Sequence, residues 1–253
     1  MSDVTHAIIA GHLKQLRLPG IAGHLSSVAR EAEEDGRSYL EFLRALLEAE
    51  VTQRRENQAR RLLSQAKFPI HKGLDSFHFE AVPSLDRQKV LNLARGEFIE
   101  KQRNAILIGN SGTGKTHLAM GIGQELCRRG YRVRFYTAAG LVNELLAGHE
   151  RHDLPKLEKR WLKHDLVICD ELGYLPFSKT GSELLFHFFS ARYERGSFLV
   201  TTNLDFARWT EVFGDAHMTG ALIDRLTHKA HILVMNGDSY RFRESMGDPD
   251  DGS

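Results

Sequence analysis

Ile106-Leu107-Ile108-Gly109-Asn110-Ser111-Gly112-Thr113-Gly114-Lys115-Thr116-His117-Leu118-Ala119-Met120 is the stretch that decides the fold class. An apolar run that reads as a strand enters a glycine-rich loop of the form GxxxxGK[ST], and a segment that reads as a helix leaves it. The glycines let the loop wrap so that backbone N–H groups face a polyphosphate, and the helix N-terminus adds partial positive charge. Gly109, Asn110, Ser111, Gly112, Thr113, Gly114, Lys115 and Thr116 are therefore the expected nucleotide cradle. In it Lys115 reaches the β- and γ-phosphates, and Thr116 supplies an oxygen to Mg²⁺.

Downstream, β-type runs at 132–136, 166–169, 198–202 and 231–235 join Ala105–Ile108 and alternate with helical stretches. Five such strands with intervening helices predict an α/β domain with a parallel sheet covered on both faces. The run at 166–169 ends in Asp170-Glu171, two carboxylates that can divide labour: Asp170 holds Mg²⁺, while Glu171 polarises a water for attack on the γ-phosphate. One strand later Asn203 follows Thr202, where the same topology brings it to the carboxyl edge of the sheet beside the loop. Its amide is expected to orient the attacking water. A small-molecule kinase would need a lid and an acceptor pocket, and no segment reads as either.

Upstream the pattern changes. Residues 1–67 show helical spacing, with Leu40, Leu43, Leu47 and Val51 recurring at intervals of three and four. Pro19-Gly20 and Asp35-Gly36 divide this small all-α domain into three helices, and Ser38 with Glu41 fits a capping box at the start of the third. That helix is expected to reach about Ala66 and carries Arg54, Arg55, Arg60 and Arg61, a dense basic patch suited to successive DNA phosphates. A linker is expected at 68–83, the nucleotide domain at 84–246 and a disordered tail at 247–253. Two further basic clusters are Arg128, Arg129, Arg132 and Arg134, and Lys156, Lys159, Arg160 and Lys163 with Glu158 among them.

Composition narrows the possibilities without choosing a partner. With 34 Lys+Arg against 33 Asp+Glu in 253 residues, the net charge of +1 creates no global field that would steer one. The chain is 42% hydrophobic and 26% charged, as in an ordinary globular protein. No apolar run approaches the roughly 20 residues of a membrane span, and the first residues do not read as a signal peptide. Cys127 and Cys169 lack metal or redox spacing and read as buried small hydrophobes, which fits a cytoplasmic location. The 13 histidines show no zinc-ligand spacing.

The ordered set of motifs resembles the IstB-like ATPases, helpers of insertion-sequence transposition and AAA+ relatives of the DnaC helicase loader. It comprises Phe68-Pro69, Phe77-His78-Phe79, residues 104–116 continuing through His117-Leu118-Ala119, Asp170-Glu171-Leu172-Gly173-Tyr174, Arg192-Tyr193-Glu194, Thr202-Asn203 and Asp224-Arg225-Leu226. The resemblance runs from about residue 7 to 243. It implies an AAA+ P-loop fold with a five-stranded sheet ordered 5-1-4-3-2, and a helical N-terminal domain that helps grip DNA. It also implies ATP-dependent self-assembly on duplex DNA and a transposase as partner. In the family pattern Arg225 matches the box VII arginine that reaches into a neighbour's ATP site, with Arg192 as a second candidate. Only 28 residues follow Arg225, so the helical C-terminal lid of wider AAA+ proteins is not expected. The expected activity is Mg²⁺-dependent ATP hydrolysis to ADP and phosphate. Alternatives are a DnaC-like loader of a replicative helicase, which shares the ATP site, and a DNA scaffold that uses ATP with little turnover.

Overall fold

A computed structural model describes residues 2–237. Its contacts divide the chain into two units, Met1–Arg61 and Leu62–Ser253. The first holds α1 (Ser2–Gln15), α2 (Pro19–Glu34) and most of α3 (Tyr39–Ala66). Pro19 opens α2, where its missing N–H would in any case lack a partner. The capping box at α3 forms as expected: the Ser38 N–H donates to Glu41 Oε2 at 2.9 Å, and the Glu41 N–H donates to Ser38 Oγ at 3.3 Å. Glu50, itself buried, accepts from the backbone N–H groups of Gly20 (2.7 Å) and Ile21 (3.1 Å) and so caps α2 from 30 residues away.

The core of this unit is Leu13, Ile21 and Leu46, with Ile9, Leu18, Leu25, Val28 and Phe42 against them. The stripe from which helical spacing was read lies elsewhere. Leu40, Leu43, Leu47 and Val51 are between 47% and 78% exposed, because α3 turns its adjacent face, with Phe42 and Leu46, towards the core.

The second unit continues with α4 (Arg87–Arg95), α5 (Glu97–Glu100), β1 (Ala105–Ile108), α6 (Lys115–Arg128), β2 (Val133–Thr137) and α7 (Ala138–Glu150). After these come α8 (Leu154–Trp161), β3 (Leu166–Asp170), α9 (Lys179–Arg192), β4 (Ser197–Thr202), α10 (Thr210–Phe213), α11 (Ala216–Thr227) and β5 (His231–Val234). The strands form one parallel sheet in the order β2-β3-β4-β1-β5, the expected order read from the other edge. The expected strand limits differ from these by no more than one residue at either end.

Successive strand residues point to opposite faces. Leu107, Ile168 and Leu199 join Leu118, Ile122 and Leu126 of α6 and Val90 and Leu93 of α4 in one core layer. Ile106, Val167 and Val200 join Leu141, Leu185, Phe188 and Leu222 in the other. Cys127 and Cys169 are both buried within these layers, and burial pushes both thiols up, that of Cys127 to about 11.

Residues 68–83, expected as a linker, form a strap on the first layer. Phe77 and Val82 are buried there, and Phe68, Leu74 and Phe79 pack against them. The strap is held to the start of α6 through His117, whose Nε2 lies 2.9 Å from the Gly73 carbonyl and whose ring meets Phe77 edge-on at 5.3 Å. The expected disordered tail and the expectation of a lidless end both fall on residues beyond Gly237, outside the described part. Among the described residues no helix is long and apolar enough to cross a membrane.

Candidate nucleotide site

Because β1, β3 and β4 are parallel neighbours, the loops that leave them open at one edge of the sheet. A cleft of about 370 Å³ lies there, lined by the loop 111–116, by Glu171, Thr201, Thr202 and Asn203, and on the strap side by Phe77, His78 and Val82. Gly109 sits where a Cβ would come within 2.2 Å of the Met235 carbonyl oxygen, so only glycine fits. Gly114, the residue before α6, has φ +88° and leaves room for the Phe77 ring. Lys115 folds back onto the loop, its Nζ donating to the carbonyls of Gly109 (2.8 Å) and Asn110 (2.6 Å). Those two residues thus lie behind the lysine, while Ser111 to Thr116 line the cleft.

Asp170 ends β3 and is 2% exposed. Its Oδ1 accepts from Thr116 Oγ1 at 3.0 Å and from Thr201 Oγ1 at 2.5 Å. Burial pushes its carboxyl above the usual range, and the two hydroxyl donors oppose that shift by favouring the anion. Glu171 is exposed to the cleft and has φ +61°, a left-handed conformation uncommon for a side chain of its size. Asn203 follows β4 and is exposed on the same cleft. A hydroxyl and a carboxylate within hydrogen-bond distance are hard oxygen donors suited to Mg²⁺, which takes its remaining ligands from phosphate oxygens and water. Thr116 and Asp170 therefore fit the ion. Thr201, which touches Asp170, was missed as a site residue, since Thr201-Thr202 reads only as the end of a β-branched strand.

The two arginines differ sharply. Arg225 is half-buried near the end of α11, with Nη1 donating to Ala221 O at 2.8 Å and its guanidinium 5.2 Å from the Phe186 ring centre. The Asn104 amide donates to the carbonyls of Arg225 (3.4 Å) and Leu226 (3.0 Å). Asn104 precedes β1, whereas the glycine-rich loop follows it, so the Arg225 backbone lies at the end of β1 opposite the loop, and Arg225 does not line the cleft.

Arg192 is 1% exposed. It donates to the carbonyls of Trp161 (2.5 Å), His164 (3.1 Å) and Ser197 (3.4 Å) and lies over Phe198, and burial lowers its pKa to about 10. Its role as the second candidate for reaching a neighbour is overturned, because the guanidinium is committed to three backbone carbonyls inside the domain.

The model of the family described as IstB-like ATP binding protein matches residues 11–247. The chain belongs to that family. Among relatives of this IstB-like protein, one named as an ATP-binding protein of insertion sequence IS5376 from Geobacillus stearothermophilus is 37% identical over 91% of this chain and 92% of its own length. Another, named for insertion sequence IS21 of Pseudomonas aeruginosa, is 34% identical over 92% of this chain and 88% of its own. A crystal structure of the DnaC helicase loader superposes with a TM-score of 0.55 at 20% identity, covering 65% of this chain and 96% of that one. That likeness carries the fold, which is the P-loop AAA+ fold.

The basic patch on α3 of the IstB-like chain is less uniform than its spacing suggested. At 3.6 residues per turn, Arg54 and Arg61 lie about 20° apart around the helix, with Arg55 about 100° to one side and Arg60 about 120° to the other. Arg54 bonds the buried Glu50 at 2.7 Å and the Arg17 carbonyl at 2.9 Å, and Arg60 lies 3.4 Å from Glu56. Arg55 and Arg61 are exposed and have no ion-pair partner among the described residues. In the second cluster Arg128 and Arg129 pair with Glu125, Arg132 pairs with Asp165, and Arg134 donates to the Gln65 carbonyl. In the third, Lys156 pairs with Asp153 and Arg160 with Glu144, leaving Lys159 and Lys163 without such partners among the described residues.

Proposed function

We propose that this IstB-like chain is a Mg²⁺-dependent ATPase that assembles on duplex DNA and supports the transposase of an insertion sequence. The observation that carries the reading is the convergence of Lys115, Thr116, Glu171 and Asn203 on one cleft, with the buried Asp170 bonded to Thr116 and the Arg225 backbone at the opposite end of β1. Lys115 leaves the carbonyls it now touches and meets the β- and γ-phosphates, while the loop N–H groups hold the chain of phosphates. Thr116 and Asp170 would hold Mg²⁺, which when bound would neutralise charge on the phosphate oxygens.

Glu171 then accepts the proton of a water that Asn203 orients. The water oxygen bonds the γ-phosphorus as the bond to the β–γ bridging oxygen breaks, giving ADP and phosphate. Arg225 does not line the cleft and its backbone sits at the opposite end of β1, which supports a role against the nucleotide of a neighbouring chain. The naming of the relatives after insertion sequences favours a transposase over a helicase as partner, since the likeness to DnaC rests on fold alone.

Glu171→Gln tests the hydrolytic reading. It keeps shape and hydrogen bonding but loses the base, so phosphate release is expected to fall by about 10²- to 10⁴-fold while ATP affinity stays at the wild-type value. Turnover at the wild-type rate would make Glu171 structural and favour a scaffold that binds ATP without using it.

For DNA, the free arginines of α3 are the contacts we favour. Each phosphate contact releases counterions and contributes about 0.9 to the slope of log K against log salt on duplex DNA. Arg55→Ala with Arg61→Ala is expected to weaken binding to all duplex sequences alike and to flatten that slope by roughly two units, with ATP affinity unchanged. Filter binding across a salt series is the measurement. An unaltered slope would move the grip to Lys159 and Lys163.

A further inference from the structure

The two acidic residues of the cleft do not hold their own positions. The β3–β4 ladder runs from Leu166↔Ser197 to Cys169↔Val200 and ends there. Beyond it the chain turns away through Glu171 in its left-handed conformation, φ +61°. What grips this turn is a single residue of β4. Thr201 Oγ1 donates to Asp170 Oδ1 at 2.5 Å and accepts from the Glu171 N–H at 2.9 Å, and its carbonyl accepts from the Leu172 N–H at 2.9 Å. One residue thus bonds three consecutive residues across the strand gap, and its own side chain is 1% exposed.

A hydroxyl has one proton and two lone pairs, so it can donate and accept at once. Here the Glu171 N–H points into the oxygen whose proton points into Asp170, and each bond polarises the next. The Thr116 hydroxyl donates to the same carboxylate oxygen at 3.0 Å. Asp170 is therefore oriented from β4 and from the start of α6, and the backbone that aims Glu171 is held by the Thr201 hydroxyl.

We propose that Thr201 is a positioning residue for ATP hydrolysis: its hydroxyl couples the orientation of Asp170 to the strained backbone of Glu171, so that cation ligand and water-polarising base are aligned together. This rests on the hydrolytic reading above. Thr201 itself lies under the reacting atoms and acts through its two neighbours.

Thr201→Val replaces the hydroxyl by a methyl group of similar volume. Turnover at saturating ATP is expected to fall about 10- to 100-fold, the usual cost of removing a partner of a metal ligand. KM for ATP should stay unchanged, and the Mg²⁺ concentration for half-maximal turnover should rise. Thr201→Ser restores the oxygen and is expected to recover most of the rate. In the Glu171→Gln background Thr201→Val should cost less than it does in the wild type, because the base it aims is already gone and only the cation ligand is left to orient.

Wild-type turnover in Thr201→Val overturns the proposal. So does equal loss in the Ser and Val variants, or full additivity with Glu171→Gln. If Thr201→Val does not fold, Thr201→Ala is carried through the same measurements, and failure of both to fold makes Thr201 purely structural and also overturns it. Wild-type turnover in Glu171→Gln alone would instead sink the hydrolytic reading, an outcome separate from all of these.

Discussion

Arg225→Ala is expected to leave ATP binding by a single chain intact and to lower turnover in the assembly by about 10³-fold or more, in the range found for arginines that neutralise charge on a transferring phosphoryl group. The physical reason lies in the position of α11. The Arg225 carbonyl is tied to Asn104 before β1, and the phosphate loop begins after it. In the structure the side chain does not line the cleft of its own subunit. The guanidinium is also oriented in advance, resting on Phe186 and on the Ala221 carbonyl. Mixing Arg225→Ala with Lys115→Ala chains provides the check. Hydrolysis should be partly rescued, because some junctions then join an intact loop to an intact arginine. Absence of rescue in verified mixed assemblies would mean that the site is completed within one chain.

Lys115→Ala is expected to abolish ATP binding and every ATP-dependent property with it. In the proposed function the lysine is the point charge that meets the β- and γ-phosphates. In the structure it occupies the carbonyls of Gly109 and Asn110, a position from which it can turn to an incoming polyanion. Its removal leaves backbone N–H groups and the α6 N-terminus as the remaining attraction. Equilibrium binding of a fluorescent ATP analogue is the measurement, and affinity equal to wild type would remove Lys115 from the site.

The parts of this molecule that were legible in the sequence are those written in local pattern. Ile106 to Thr116 specifies strand, loop and helix within 11 residues, and the apolar run before Asp170-Glu171 marks the end of a buried strand. The order of the sheet came from the family resemblance, since periodicity does not say which strands are neighbours.

What stayed hidden depends on partners far away in sequence. Arg192 follows a helical pattern and looks like a surface cation, yet Trp161, His164 and Ser197 turn three carbonyls onto it. Arg54 looked like one of four equivalent arginines until Glu50 claimed it. The Leu40 stripe and the core face of α3 have the same spacing, so period alone cannot tell which of them is buried. Residues 68–83 have the proline and short runs of a linker, and only the position of α6 shows that Phe77 has a surface to cover. Thr201 is one more β-branched strand residue until the turn at Glu171 is seen above it.

If Arg225 acts on a neighbour's nucleotide as proposed, its position away from its own cleft gives the assembly a polarity. If every chain receives an arginine at one end of its strands and donates one at the other, the interface is head-to-tail, and two chains facing each other about a twofold axis through identical patches cannot complete it. An open row of such chains always carries one terminal subunit whose nucleotide meets no arginine. Hydrolysis per subunit then rises with the length of the row and reaches its full value only when the last chain meets the first. In such a row the terminal subunit would keep its ATP longest.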